Sequence, residues 1–204
     1  MPKIVDHDER RRDIAHAVLR VIARDGVRGA DLRTVARDAG WSTGVISHYF
    51  GDKQGLLVGA LREAAEAVAD RMRAISRLGD SAGRVHALLE AGMPLDEERA
   101  ATCRIFYHFS SDGVSDPAFR GELANYYSWW RGAVATAIED AQPAGLFQGH
   151  DPVELAESLV ALAEGLGIQS LFDPDAMPPA RLRDRLSGMI IQLQTSESQQ
   201  VDHV

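Results

Sequence analysis

The stretch from Asp31 to Phe50 constrains the fold of this chain more than any other. Leu32, Val35, Ala36 and Ala39 recur at helical spacing, and Gly40 follows where a helix would stop. Either Asp31 or Ala30 begins this short helix, and Ala36 is small enough for two helices to cross closely. Ser42 or Thr43 then offers a side-chain oxygen to cap the next helix, which runs from Gly44 to Phe50. In that helix Val45, Tyr49 and Phe50 are expected to face the core, with Ser47 and His48 on other faces. Two short helices around a glycine-containing turn form the supersecondary unit whose second helix enters a DNA major groove. The groove admits a helix and exposes base edges, while a helix N-terminus suits a phosphate.

The flanking sequence extends the same reading. Ile14, Val18, Leu19 and Ile22 predict a helix from about Asp8 to Asp25, ended by Gly26. After Gly51, Asp52 can cap a long connecting helix from Lys53 to about Arg77, with Leu56, Leu57, Ala60, Leu61, Ala64, Val68 and Met72 as its stripe. A turn is expected at Gly79–Gly83. Further helices are expected around Val85–Gly92, over Glu97–Ser111, over Pro117–Ala141, after Asp151 to about Leu171, and over Pro179–Gln194. Asp112–Pro117 is expected as a loop, and the tail from Thr195 is polar. With no long Val/Ile/Tyr-rich alternation, the expected class is all-α: a three-helix head, a long connector and a helical body. The corresponding division is 8–52, 53–194 and a tail at 195–204.

Charge agrees with a nucleic-acid contact at the head only. The net charge is −8, yet residues 1–53 carry ten Lys/Arg against eight Asp/Glu, leaving −10 for the remainder. The run Arg10, Arg11, Arg12 either approaches phosphates or forms a solvated face. The N-terminus lacks a signal-peptide pattern, no membrane association is expected, and the single cysteine, Cys103, fits a reducing cytoplasm. The seven histidines form no HExxH or cysteine–histidine metal pattern, and neither a nucleophile elbow nor a phosphate loop is present. Neither enzymatic activity nor a cofactor or metal is expected.

The run LRTVARDAGWSTGVISHYFGDKQGLL, residues 32–57, resembles the DNA-binding signature of the TetR family. The match combines the helix stripe, Ala39-Gly40, Thr43-Gly44, the run His48 to Phe50, and Asp52-Lys53. Within the family, STGVISHYFGDKQGLL looks most like the repressors of choline-to-betaine pathways, and EGLGIQSLFDP at 164–174 adds a looser resemblance. The resemblance implies a homodimeric repressor on a near-palindromic operator, released by a small-molecule effector bound in the body. A transcriptional activator or dual regulator could share the same head.

The resemblance also distributes roles. Thr34 touches phosphate or serves a local cap, and Ser42 and Thr43 contact DNA or only cap. Gly44 permits close approach to the DNA backbone or serves helix packing. Ser47 and His48 are groove candidates, Tyr49 matches a frequent hydroxyl contact to the DNA backbone, and Lys53 can meet phosphate. Ser47 stands where many members have tyrosine, and Trp41 is larger than the usual turn residue, so it either packs against the first helix or reaches DNA. In the body, Phe106, Phe109, Tyr126, Trp129 and Trp130 either line a ligand pocket or pack a core. Such rings attract a quaternary ammonium with about 0.5–2 kcal/mol each, and Glu90 and Glu164 either neutralise such a cation or are surface residues. The helices near 152–172 and 179–194 carry more apolar residues than one subunit needs to bury, which points to a homodimer.

Overall fold

The computed structural model describes residues 7–76 and 81–195, so part of the expected turn at 79–83 and the tail beyond Thr195 lie outside it. Among the described residues there are nine α-helices, one short 3-10 turn at Gln142–Ala144, and no strand. In chain order they are α1 (His7–Gly29), α2 (Leu32–Ala39), α3 (Thr43–Phe50), α4 (Lys53–Ile75) and α5 (Ser81–Ala91). Then come α6 (Glu97–Ser115), α7 (Pro117–Ala141), α8 (Pro152–Phe172) and α9 (Pro179–Thr195). Two compact units result. The first reaches Ala67 and takes in Ile105–Leu123; the second holds Val68–Arg104 and the chain from Ala124 onward.

In the first unit, local chemistry sets the helix ends. The chain leaves the regular α1 path at Gly26, with φ 72° and ψ 170°. Asp31 then accepts from the Thr34 N–H at 2.8 Å and starts α2. Gly40 takes a left-handed conformation, φ 72° and ψ 23°, and its N–H closes the helix on the Ala36 carbonyl. A side chain here would be strained, which is why this turn takes glycine. Ser42 caps α3 by accepting from the Val45 N–H at 3.3 Å, and Asp52 caps α4 by accepting from Gly55 N–H at 2.9 Å.

Ile14, Val18, Val35, Ile46 and Leu56 are fully buried and form the centre of this unit. Each such side chain contributes about 1.5–3 kcal/mol by leaving water. Ile46 takes the core position expected of Val45 and Tyr49, both of which are only half-buried. With Ser42 as the cap, Ile46 and Phe50 stand four residues apart on one face, and that face meets the core. Leu19 is likewise half-buried. A second correction concerns the loop expected at Asp112–Pro117. Helix α6 continues to Ser115, and Asp116 alone separates it from α7. Asp116 makes so short a joint workable by accepting from the Ala118 N–H at 2.9 Å, which caps α7.

In the second unit, Leu88 and Leu89 of α5 and Leu182 and Leu186 of α9 are fully buried. His86 Nε2 lies 2.8 Å from Ser187 Oγ, and Arg183 pairs with Glu90 at 3.2 Å, tying α9 to α5. Asp151 caps α8 by accepting from the N–H groups of Val153 and Glu154, and Pro152 occupies the first helical position. Helix α8 is long and apolar enough to cross a membrane by length and composition. Leu155, Ala156, Leu159, Val160, Ala163, Leu166 and Gly167 of this helix are buried in the protein, while Val153 and Phe172 are exposed.

Candidate nucleic-acid interface

Helix α3 presents Thr43, Gly44, Ser47 and His48 to solvent, and the exposed Ser42 precedes them. Thr43 with Ser47 and Gly44 with His48 stand one helical turn apart, so they form a single polar face flanking the buried Ile46 and Phe50. Lys53 is exposed at the start of α4, and Thr34 is half-buried in the first turn of α2. These residues therefore sit on three successive helix N-terminal turns and one helix face of the first unit.

Several of these groups have partners within the chain. Ser47 Oγ donates to the Gly51 carbonyl at 2.9 Å, and Lys53 Nζ donates to the Arg28 carbonyl at 3.1 Å. The Tyr49 hydroxyl lies 2.9 Å from His7 Nδ1, and the His48 ring stands edge-on to the Tyr49 ring at 5.3 Å. The first turns of α1 supply two further contacts. The Arg10 guanidinium lies over the Trp41 ring at 4.3 Å, and that of Arg11 lies over Phe50 at 5.1 Å. Trp41 thus meets α1 through Arg10, and two of the three consecutive arginines stack on rings. Sequence reasoning misses His7, Arg10 and Arg11 as partners of the recognition segment. Their spacing of three and four residues places them on one face of α1, which is the signal that could have found them.

Ion pairs secure α2 against α1. Asp38 accepts from both Arg20 and Arg24, at 2.9 and 3.0 Å. The Arg24 hydrogen bond, with help from Arg20, holds the Asp38 carboxyl below the usual carboxylate range. The Thr34 N–H does the same for the capping carboxyl of Asp31. Both acids are therefore charged near neutral pH, and the pairing of Asp38 with Arg20 and Arg24 limits its repulsion of a phosphate backbone.

The candidate aromatic residues of the body divide between the units. In the first, Phe106 and Phe109 are buried, and Phe109 stacks on Phe119 with centroids 4.9 Å apart. In the second, Trp130 is buried and donates its indole N–H to the Leu88 carbonyl at 3.1 Å, while Trp129 is 37% exposed. Tyr126 is buried, with ring contacts to Trp130 at 5.8 Å and to Tyr127 at 5.2 Å. The Tyr127 hydroxyl donates to Glu164, one of the two carboxylates that the sequence leaves either to neutralise a cation or to lie at the surface. Burial pushes the Cys103 thiol up to about 12, so it stays protonated and unreactive. Among the described residues, no group of three or more His, Cys, Asp or Glu side chains could hold a metal ion.

Comparison with known proteins agrees with this head and body. Residues 14–60 match the model for bacterial regulatory proteins of the tetR family, and residues 81–194 match that for the C-terminal region of the BetI-type transcriptional repressor. The chain is 32% identical over 195 residues to the HTH-type transcriptional regulator PksA of Bacillus subtilis, covering 94% of this chain and 91% of PksA. BetI from Paraburkholderia phymatum is 32% identical over 122 residues, which span 59% of this chain and 62% of BetI. The match to the BetI repressors therefore covers less than two thirds of their length. Among solved structures, a transcriptional regulator from Saccharomonospora viridis in complex with choline has a TM-score of 0.82 at 28% identity, covering 90% of this chain and 96% of that one. A TetR-family regulator from Rhodococcus sp. has a TM-score of 0.79 at 26% identity, covering 92% of this chain and 100% of that one. The chain belongs to the TetR family of DNA-binding transcriptional regulators, with a BetI-type C-terminal region, and is not an enzyme.

Proposed function

We propose that this regulator is a homodimeric repressor that occupies a near-palindromic operator and leaves it when a small-molecule effector binds the body. The observation that carries the reading is the single polar face of α3, Thr43, Gly44, Ser47 and His48, held outward by the burial of Ile46 and Phe50. Residues 8–52 act as the DNA-binding head, 53–194 as the body, and 195–204 as a tail. Ser47 and His48 read base edges, while Thr34, Ser42, Thr43, Tyr49 and Lys53 meet phosphate and fix register. Gly44 lets the helix approach the DNA backbone. The protein acts in the cytoplasm, where its operator is.

Two heads must reach successive major grooves roughly 34–36 Å apart. Pairing through α8 and α9 is supported by the exposed apolar side chains Val153 and Phe172 of α8 and Met189 and Ile191 of α9. Helix α4 serves as the lever that sets head spacing. The effector releases DNA because it binds one head spacing more tightly than the other.

For the effector we propose a small quaternary ammonium compound. The support is a run of ring contacts from Trp130 through Tyr126 to Tyr127, ending on the Glu164 carboxylate. Aromatic faces and one carboxylate are the chemistry that holds such a cation. The choline complex of the Saccharomonospora viridis regulator makes choline the first compound to test. Exposed Trp129 belongs beside these rings as a ligand candidate, whereas Phe106 and Phe109 serve the first unit as packing.

The test is selection of bound fragments from random and host genomic DNA, at low and high salt, with and without choline. An inverted repeat recovered at low salt, lost steeply as salt rises and lost again with choline, is the expected result. Recovery without any common sequence would sink the operator reading. A common repeat whose recovery is indifferent to choline would sink the effector class alone.

A further inference from the structure

We propose that His7 is a positioning residue for operator binding: it holds the Tyr49 hydroxyl and frees the phenolic proton for a DNA phosphate. The inference deepens the operator reading above and rests on Tyr49 touching the DNA backbone. Its basis is geometric. His7 lies in the first turn of α1 and Tyr49 in the last turn of α3, forty-two positions apart, yet Nδ1 and the hydroxyl oxygen are 2.9 Å from each other. Their rings stand 5.7 Å apart and tilted, so the imidazole meets the phenol at its hydroxyl end rather than stacking on it. Arg10 over Trp41 and Arg11 over Phe50 fasten the same face of α1 to the start and end of the recognition segment.

A phenol has one proton to donate and can also accept. Without DNA, it can spend that proton on a bare Nδ1. On the operator the phosphate has only acceptors, so the hydroxyl donates to it. The imidazole must then carry hydrogen on Nδ1 and donate to the phenol oxygen. Neutral His7 does this by moving its single proton from Nε2 to Nδ1, with no net proton taken up; imidazolium already carries it there. Either way the hydroxyl is aimed before the phosphate arrives, and once Nδ1 carries hydrogen the phenolic proton no longer goes to an internal acceptor. Tyr49 is half-buried, so few other rotamers would deliver the hydroxyl to solvent once His7 holds it.

Asparagine is the informative replacement, because its amide nitrogen occupies nearly the position of Nδ1 and donates without titrating. The experiment measures operator affinity of the full chain by fluorescence anisotropy for wild type, His7→Ala, His7→Asn, Tyr49→Phe and His7→Ala/Tyr49→Phe. Thermal unfolding confirms that each variant is folded; His7 is exposed, so its replacement leaves the core intact. His7→Ala is expected to bind about three- to tenfold more weakly, the range for losing one hydrogen bond. His7→Asn is expected to recover most of that loss, and the double variant to bind like Tyr49→Phe alone. If His7→Ala binds as wild type while Tyr49→Phe is weakened, the positioning role is wrong and the operator reading stands. The positioning role is equally wrong if asparagine fails to rescue, or if the alanine penalty persists without the hydroxyl. Full affinity of Tyr49→Phe would remove the tyrosine–phosphate contact itself, and the role of His7 with it.

Discussion

Phe50 shows how closely the recognition segment is fitted to its support. Its ring is buried between Arg11 on one element and Gly59 on another. A Cβ placed on Gly59 would come within 2.4 Å of Phe50 Cε1, so the ring must move if any side chain is added there. Gly59→Ala is therefore expected to destabilise the protein by about 1–3 kcal/mol, the usual cost of overpacking, and to weaken operator binding by shifting the end of α3. Denaturant unfolding with operator titration checks both; unchanged values in both would remove Phe50 as the anchor of α3. Asp38 governs a different property. Its folded carboxyl titrates below the ordinary 3.8 because Arg24 and Arg20 donate to it. A depressed folded value means the contribution is fully present above the unfolded pKa and is lost as pH falls through the folded one. Stability is thus expected to hold from neutral pH down to about pH 5 and to decline below about pH 4. Asp38→Asn should lower stability at pH 7 and flatten the acid limb, measured by unfolding across that range; an unaltered limb would show that the pair with Arg24 contributes nothing.

Among the helices, the N-terminal half of α4 is tied to the α6–α7 joint and to α7 by polar side chains. Gln54 donates to Asp116 at the α6–α7 joint at 2.5 Å, and Arg62 pairs with Glu122 of α7 at 2.5 Å. The Arg62 side chain is 57% exposed, so this pair is worth little to stability, on the order of 0–1 kcal/mol. Under the proposed effector switch its use would be mechanical: a shift of the α6–α7 joint would reach α4 through it. Arg62→Ala is accordingly expected to keep stability and operator affinity near wild type while shrinking the effector-induced loss of binding severalfold. Operator titration with and without effector decides; an undiminished response would take the ion pair out of the switch. The helices themselves are legible in the sequence because their signals are local. Asp31, Ser42, Asp52 and Asp151 each cap a helix within three residues of themselves, and Gly40 ends one. The α6–α7 joint is not legible in the same way, because Gly113 and Pro117 read as loop residues. In the fold α6 carries Gly113 in a buried position and Pro117 opens α7.

For the molecule as a whole, oligomeric state is the deciding property. Helices α8 and α9 border an open cleft of about 470 Å³ lined by Leu155, Leu159, Leu162, Met189 and Leu193, with His150, Asp151, Glu154 and Ser158 at its polar side. Met189 lines this cleft and is 41% exposed, apolar surface that a self-complementary contact would cover. Met189→Glu is expected to weaken dimerisation at least tenfold, since burying such a side chain is worth about 1.5–3 kcal/mol. Operator affinity should fall with it, because two half-sites are then met by separate subunits. Sedimentation reads the first effect; a wild-type chain that is monomeric at micromolar concentration would sink the dimer altogether.

Residues 31–57 determined by themselves that this chain carries a helix-turn-helix and belongs among the TetR regulators. Caps, glycine stops and apolar spacing act over three or four residues, and that range is visible in a linear string. The tertiary structure decided what those rules leave open. It put Ile46 rather than Val45 in the core, stacked Phe109 on Phe119, set Arg11 over Phe50, and brought His7 to Tyr49. Such contacts join residues from ten to more than forty positions apart. Their partners are chosen by how whole helices cross, and crossing geometry depends on the packed volume of all the side chains between them.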